Sequence, residues 1–261
     1  MSDPHAPNVS DGDPSRRFVL AETPRDGSAR LAPEDERHAA RVLRMAAGDR
    51  LIGLDGAGTA WPLEVVAVGR RSLELVTDGD PVREPAPGEP GSPLPRVEIA
   101  LSLPKGSRAE DCFSRLAQLG VASLTPLVTH RTPPHAREAG EARRTRLEKA
   151  GRESAKQCGR LWFPEVGRAM ALEAWLEARA GTPRAWLDPR GSRTALQWDA
   201  PRSAHTLAVA IGPEGGFDPA EEEALDAAGC ERLRLGGHVL RIETAAEAIM
   251  AVVATRALER G

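Results

Sequence analysis

From Arg16 to about Gly79, apolar and polar positions alternate in short runs around one helical segment. HAARVLRMAAGD reads as helix, and RLIGLDGAGTAWPLEVVAVGRRSLELVTDGD reads as strands divided by Gly and Asp turns. Short strands at this spacing fit a small barrel over residues 16–80. The pattern then breaks. Six prolines between Asp80 and Pro95 exclude a helix or a central strand and predict a linker over 81–95. From Arg96 onward strands and helices alternate. VEIALSL is a strand, AEDCFSRLAQLG a helix closed by Gly120, VASLTPLV a strand, and EARRTRLEKAGRESAKQCG a basic helix closed by Gly159. MALEAWLEARAG is a helix closed by Gly181, and RAWLD is a strand. TLAVAI, a helix from Pro219, ERLRLG and a helix from Ala245 complete the set. Continuous apolar strands between amphipathic helices predict an α/β domain over 96–261, its parallel sheet covered on both faces.

Composition narrows this picture. Hydrophobic residues make up 41% of the 261-residue chain, enough for a sizeable core. Aromatics are 3% and Tyr is absent, so that core should be Leu, Val, Ile and Ala. Residues 1–15 are polar, predicting a disordered tail with no apolar run of a secretory signal. AIMAVVA, near the other end, is too short to span a bilayer. Cys112, Cys158 and Cys230 match no metal or redox spacing and read as buried thiols of a reducing cytoplasm. A soluble cytoplasmic protein without metal is expected. Net charge is −3, but Arg131–Arg168 holds ten Arg or Lys against five Asp or Glu. That local cluster, not the overall charge, is where an anionic partner would bind.

Two loops carry candidate chemistry. In TLAVAIGPEGGFDPAEEEAL an apolar strand meets glycines and then an acidic helix, at the strand end where open α/β sheets bind ligands. The spacing matches neither the dinucleotide nor the P-loop fingerprint. Asp218 as N-cap, Pro219 at the first helical position and Glu221 three residues after the cap form a helix start already rich in negative charge. With Glu214 in the loop, a phosphate would meet like charge. The ligand should be neutral or cationic, with hydroxyls, an amine or an exocyclic amino group; S-adenosylmethionine has these and a sulfonium. A tight glycine turn with a solvated Glu214 explains the same residues without a ligand. In LGGHVLRIETAAEAIMAVVATRAL, Thr244 and Glu247 have capping-box spacing, predicting a helix from Ala245 and leaving Arg241 and Glu243 on a loop beside the crevice. A surface ion pair is the alternative there.

IGPEGGF followed by LGGHVLRIETA resembles the paired signature loops of the 16S ribosomal RNA uridine-N3 methyltransferases, the RsmE family of the SPOUT superfamily. HAARVLRMAAGD, LPKGSRAE and QCGR follow the family order, so the resemblance covers the chain from about Arg16. It implies a PUA-like β-barrel for RNA, then a SPOUT domain whose backbone forms a trefoil knot around S-adenosylmethionine. Leu187, Ile211, Gly212, Glu214, Gly215, Gly216, Leu235, Gly236, Leu240, Thr244 and Ala245 would then hold the cofactor. It also implies a homodimer through the helices carrying Phe113, Leu116 and Ala117, and Ile249, Met250 and Val253, although both stripes equally fit an intramolecular core. Two departures, Arg115 to Gln118 where Lys-x-x-Glu is common and Lys156 where glutamate is common, remove negative charge near the expected RNA side.

Methylation at uracil N3 requires loss of an imide proton and support for charge on the flanking carbonyls. Arg241 suits the anionic carbonyls, with Glu243 orienting it or contacting the cofactor. His238 is a weaker candidate for the base. Lys105, Arg108, Arg131, Arg152, Lys156, Arg160 and Arg190 are candidate contacts to 16S rRNA in the small ribosomal subunit. Lys149, Arg152 and Lys156 share a helical face, though Glu148–Arg152 and Lys149–Glu153 also make compensating pairs. Two rivals remain: a related enzyme with another RNA target, such as a ribose hydroxyl of tRNA, and a non-catalytic RNA-binding assembly factor.

Overall fold

The computed structural model describes residues 16–70, 72–137, 140–200 and 203–259; the expected disordered tail lies outside them. The chain divides into two compact units. One runs to Ala86 and includes Ala155–Phe163; the other comprises Pro87–Ser154 and the chain from Pro164.

The first unit contains β1 (Arg17–Val19), β2 (Ser28–Ala29), α1 (Pro33–Arg37), β3 (Arg50–Leu54), β4 (Thr59–Val68), β5 (Leu73–Thr77) and β6 (Val82–Arg83). Strand order is β1-β3-β4-β5-β2, with β6 on β4. A bridge between Leu20 and Leu31 joins the two end strands and closes the barrel. Inside lie Phe18, Leu51, Leu63, Val65 and Leu75, on inward-facing positions of their strands, together with Leu31 just after β2. Two expectations need correction. HAARVLRMAAGD is not one helix: α1 starts earlier, at Pro33, and continues as a π-type turn over His38–Val42 before Gly48 turns the chain at φ +89°. Val82–Arg83, inside the expected linker, pair with β4 at the sheet edge, a place proline-rich chain can reach.

Residues Ala155–Phe163, expected in the α/β domain, group with the barrel. Lys156 Nζ stands 2.9 Å from Asp35 Oδ1, both side chains 9% exposed. Asp35 also accepts from the backbone N of Val19, tying α1 to β1. Arg17 donates to the Lys156 carbonyl at 3.3 Å. Gly56 and Gly58 take positive φ beneath Phe163 and Trp162, where any Cβ would lie within 2.6 Å of a ring atom. Lys156 is therefore an internal counter-ion, which corrects its expected role as an RNA contact. Arg160 is half-buried, and burial lowers its pKa.

The second unit holds β7 (Arg96–Leu101), α2 (Arg108–Gln118), β8 (Ser123–Val128), α3 (Pro134–Arg137), α4 (Glu141–Cys158, whose last turn groups with the barrel), β9 (Glu165–Val166), β10 (Met170–Ala171), α5 (Leu172–Ala178), β11 (Arg184–Leu187), β12 (Arg193–Thr194), β13 (Thr206–Ile211), α6 (Pro219–Ala227), β14 (Glu231–Arg234) and α7 (Ile242–Leu258). Its strands pair in parallel in the order β10-β8-β7-β13-β11-β14-β12, with β9 on β8. Leu207, Val209 and Ile211 of β13 face the core that includes α2 and α7, whereas Ala208 and Ala210 face Trp175, Phe217 and Leu225 on the other side. The parallel sheet buried on both faces is the α/β architecture expected.

Phe113, Leu116, Ala117, Ile249, Met250 and Val253 are all fully buried, and α2 packs on α7 within one chain. The stripes assigned to a dimer seam are intramolecular core. Arg115 pairs with Glu247 at 2.7 Å and Gln118 Nε2 donates to Ser154 at 3.0 Å, so both residues of the departure in α2 serve internal contacts. Cys158 is exposed, contrary to expectation; Cys112 and Cys230 are buried. Burial pushes the Cys112 thiol up to about 12, which keeps it inert.

Replacing Lys156 with Met should destabilise the chain by about 3–5 kcal/mol, because Asp35 is left buried without its counter-ion. Adding Asp35→Asn, which keeps an acceptor for Val19, should recover most of that loss in urea denaturation of the full chain.

Candidate functional site

A cavity of about 420 Å³ opens beyond the carboxyl ends of β11, β13 and β14. Its walls are Trp186 to Arg190 after β11, Ile211 to Phe217 after β13, and Leu235, Gly236 and His238 to Leu240 after β14, with Ile242 and Ala245 from the first turns of α7. The volume suits a small organic ligand, and the position is that of ligand crevices in open parallel sheets. The proposed cofactor residues therefore come together, all except Thr244, which is exposed on α7.

The first glycine loop is fixed from inside. Phe217 is buried edge-on against Trp186, with ring centroids 5.6 Å apart and planes at 85°. A Cβ on Gly212 would meet the Phe217 ring at 3.1 Å, and Gly216 turns the chain at φ +69°. Behind it the expected capping box forms: Asp218 accepts from Glu221 N and Glu221 accepts from Asp218 N, both at 2.9 Å. The other Glu221 oxygen accepts from His130 N at 2.7 Å. His130 Nδ1 pairs with the free oxygen of Asp218, which raises the histidine pKa and helps hold the Asp218 carboxyl below its usual range, after the Glu221 N–H. These three side chains cluster as metal ligands would, but every carboxylate oxygen already accepts a hydrogen bond.

The second loop differs from expectation. α7 begins at Ile242 with Arg241 as N-cap and without a side-chain cap, so Thr244 and Glu247 form no capping box. The buried stripe begins at Ile242, one turn earlier, and Glu247 is engaged by Arg115 instead. This separates the two proposed catalytic residues. Arg241 is exposed between the cavity-lining Leu240 and Ile242. Glu243 is 9% exposed in the first turn of α7, where the helix dipole favours a carboxylate. Its Oε1 is 3.3 Å from Arg108 Nη1, while Oε2 is buried without a hydrogen bond. Glu243 thus pairs with α2 and not with Arg241.

The candidate RNA residues scatter. Lys105 is exposed and Arg152 half-buried, while Arg108 holds Glu243. Arg131 and Arg190 line the cavity. Arg131 donates to the carbonyls of Gly215 at 2.8 Å and Phe217 at 3.1 Å. Arg190 reaches Asp188 at 2.7 Å and also Glu222. Burial would raise the Asp188 carboxyl; hydrogen bonds from Arg190 and Arg232 outweigh it and hold the group below its usual range. Arg232 also lies over the Trp186 ring at 4.6 Å. Asp188, Trp186, Phe217 and Glu222 escaped the sequence reading; the one available signal was Asp188, at the end of a strand running into the crevice.

Residues 90–254 match the RNA methyltransferase domain family, and residues 31–78 match the RNA methyltransferase PUA domain. The chain belongs to the RNA methyltransferase family. Curated relatives include ribosomal RNA small subunit methyltransferase E of Synechocystis, 27% identical over 91% of this chain and 76% of the relative. The protein of the same name from Mycobacterium bovis is 28% identical over 90% of both chains. Among solved structures, a Legionella pneumophila methyltransferase in complex with bound S-adenosylmethionine superimposes with a TM-score of 0.80 at 27% identity, covering 92% of this chain and 97% of that one. A probable rRNA methyltransferase from Porphyromonas gingivalis gives 0.78 at 25% identity, covering 92% and 98%. This RNA methyltransferase thus has a PUA-like barrel followed by a SPOUT-type parallel-sheet domain. Among its described residues no helix is long and apolar enough to cross a membrane.

The two glycine loops should respond differently to a methyl group. Gly216→Ala should cost about 1–2 kcal/mol, since its φ is left-handed. A Cβ on Gly236 meets nothing within 4 Å, so Gly236→Ala should leave stability unchanged or raise it by up to about 1 kcal/mol. Thermal denaturation of the two variants checks both.

Proposed function

We propose that this protein is a cytoplasmic, homodimeric enzyme that uses S-adenosylmethionine to methylate N3 of a uridine in 16S rRNA. The observation that carries this reading is that one cavity gathers both glycine loops under an acidic helix start. The residues fit the cofactor. Leu187, Leu235, Leu240 and Ile242 offer apolar walls for an adenine ring, glycine-loop backbone offers partners for hydroxyl and amino groups, and Glu214 suits a cation. The names of the relatives and the cofactor bound by the Legionella protein agree with it. The trefoil threading of the backbone belongs to the same reading, with the unit that runs to Ala86 and takes in Ala155–Phe163 as the RNA-binding barrel, and the unit of Pro87–Ser154 and the chain from Pro164 as the methyltransferase domain. A dimer would use surfaces other than the buried stripes of α2 and α7.

When bound, the cofactor supplies an electrophilic methyl group on a sulfonium. The chain's own part is placement: the glycine loops hold the donor while the target uracil is brought in line, worth up to about 7–11 kcal/mol when alignment is good. Arg241, at the cavity mouth, faces solvent where a uracil carbonyl would gain negative charge as the imide proton leaves. Arg108 and Glu243 brace α2 against the start of α7, fixing the backbone that presents Arg241. Lys105, Arg152, the half-buried Arg160 and the exposed Lys149 are cationic groups offered to the rRNA backbone.

Small ribosomal subunits from cells lacking this gene, incubated with the protein and labelled S-adenosylmethionine, should yield labelled 3-methyluridine. Label in a ribose or another base would move the protein to a sister specificity, and absence of cofactor binding would overturn the enzyme reading. Arg241→Ala should lower methyl transfer about 10²-fold or more while cofactor affinity stays within about twofold, read by single-turnover kinetics and calorimetry.

A further inference from the structure

We propose that the turn between β8 and α3, through His130 and Arg131, is a clamp that sets the shape of the Gly212–Asp218 loop and thereby the affinity for the cofactor. The proposal rests on the cofactor reading above and makes Arg131 a positioning residue, not an RNA contact. The turn is itself rigid. Thr132 Oγ1 accepts from Thr129 N at 2.9 Å and lies 3.0 Å from the Thr129 hydroxyl. Arg137 donates to the carbonyls of Thr132 at 2.8 Å and His130 at 2.7 Å. From this base two side chains reach the loop. Arg131 Nη1 takes the carbonyls of Gly215 and Phe217, and its stem runs along Gly215, where a Cβ would stand 3.4 Å from Arg131 Cδ. His130 holds the other end, its N–H on Glu221 and its ring on Asp218.

The loop between these points contains Gly215 and Gly216, the residues with the least intrinsic preference for one conformation. Phe217 and the capping box fix only its far end. The Gly215–Gly216 peptide is held at its N–H by the Pro213 carbonyl at 2.8 Å, within the loop, and at its carbonyl by the guanidinium of Arg131, which ties that turn and the cavity wall to the rest of the domain. Preorganising a loop in its binding shape raises affinity by removing an ordering cost from the binding step.

His130 makes part of the clamp depend on protonation. The charged groups facing it are Asp218, the N-cap of α6, Glu221 within α6 and Glu173 of α5, all of which favour the imidazolium. Because the folded pKa is raised above 6.5, the ionic part of this latch is fully present below 6.5 and is lost as pH rises through the raised value. Asp218, held low, stays ionised throughout that range.

Calorimetric titration of the full chain with S-adenosylhomocysteine tests this. Arg131→Ala should weaken binding by about tenfold or more, the loss of a charge-assisted hydrogen-bond pair, and Arg131→Lys should recover part of it. Wild-type affinity should fall as pH rises from about 6 to about 9, and His130→Gln should flatten that profile. A general folding defect would not flatten a pH profile or be partly rescued by Lys. Unchanged affinity in Arg131→Ala would overturn the clamp. So would unchanged cofactor affinity with weaker RNA binding and a shallower salt dependence, which would return Arg131 to the RNA. Failure of the wild-type chain itself to bind would instead bring down the cofactor reading, and the clamp with it.

Discussion

The position of β13 between β7 and β11 is the constraint from which the site follows. A central parallel strand must bury side chains on both faces, and β13 meets that demand with Leu207, Val209 and Ile211 on one side and Ala208 and Ala210 on the other. The small residues face the layer that must admit Trp175, Trp186 and Phe217. Phe217, drawn back under the sheet by that packing, forces the chain leaving β13 to double over within a few residues. The glycines are the answer to that geometry, and the cavity is the space left beneath the fold-back.

Around this core, charge is organised by pairing. The arginines most tempting as contacts to an anionic polymer are mostly engaged already, Arg108 with Glu243, Arg115 with Glu247, and Arg190 and Arg232 with Asp188 and Glu222. A guanidinium can serve two carboxylates or two carbonyls in one plane, which suits it to bracing loops. Most charge at the cavity rim is therefore compensated locally, while Glu214 and Arg241 are both exposed there.

Continuous apolar runs made β7, β8, β11 and β13 legible, and the capping box at Asp218 was readable because its hydrogen bonds are local. The two-residue strands β9, β10 and β12 carry no period and owe their existence to neighbours far along the chain. The start of α7 was misplaced because Thr244 and Glu247 have capping spacing, while the burial of Ile242, a tertiary fact, decided the boundary. Strand ends and glycines made the two loops of the cavity visible, while individual lining residues such as Leu187, Leu235 and Leu240 came only through the family resemblance. The destinations of Lys156, Arg108, Arg131 and Glu243 were not, since a charged side chain looks the same in sequence whether it meets water, RNA or a buried partner.

The barrel's dependence on Lys156 has a consequence for how the chain is made. Asp35 and Lys156 are separated by 121 positions. A nascent chain that has emerged only as far as β6 carries all the barrel strands but lacks the cation for its buried carboxylate and the Trp162–Phe163 pair that covers Gly58 and Gly56. During synthesis, at about 5–20 residues per second, that interval lasts several seconds. The barrel's completion therefore waits for the translation of α4 and the Trp162–Phe163 pair behind it, well past the proline-rich break.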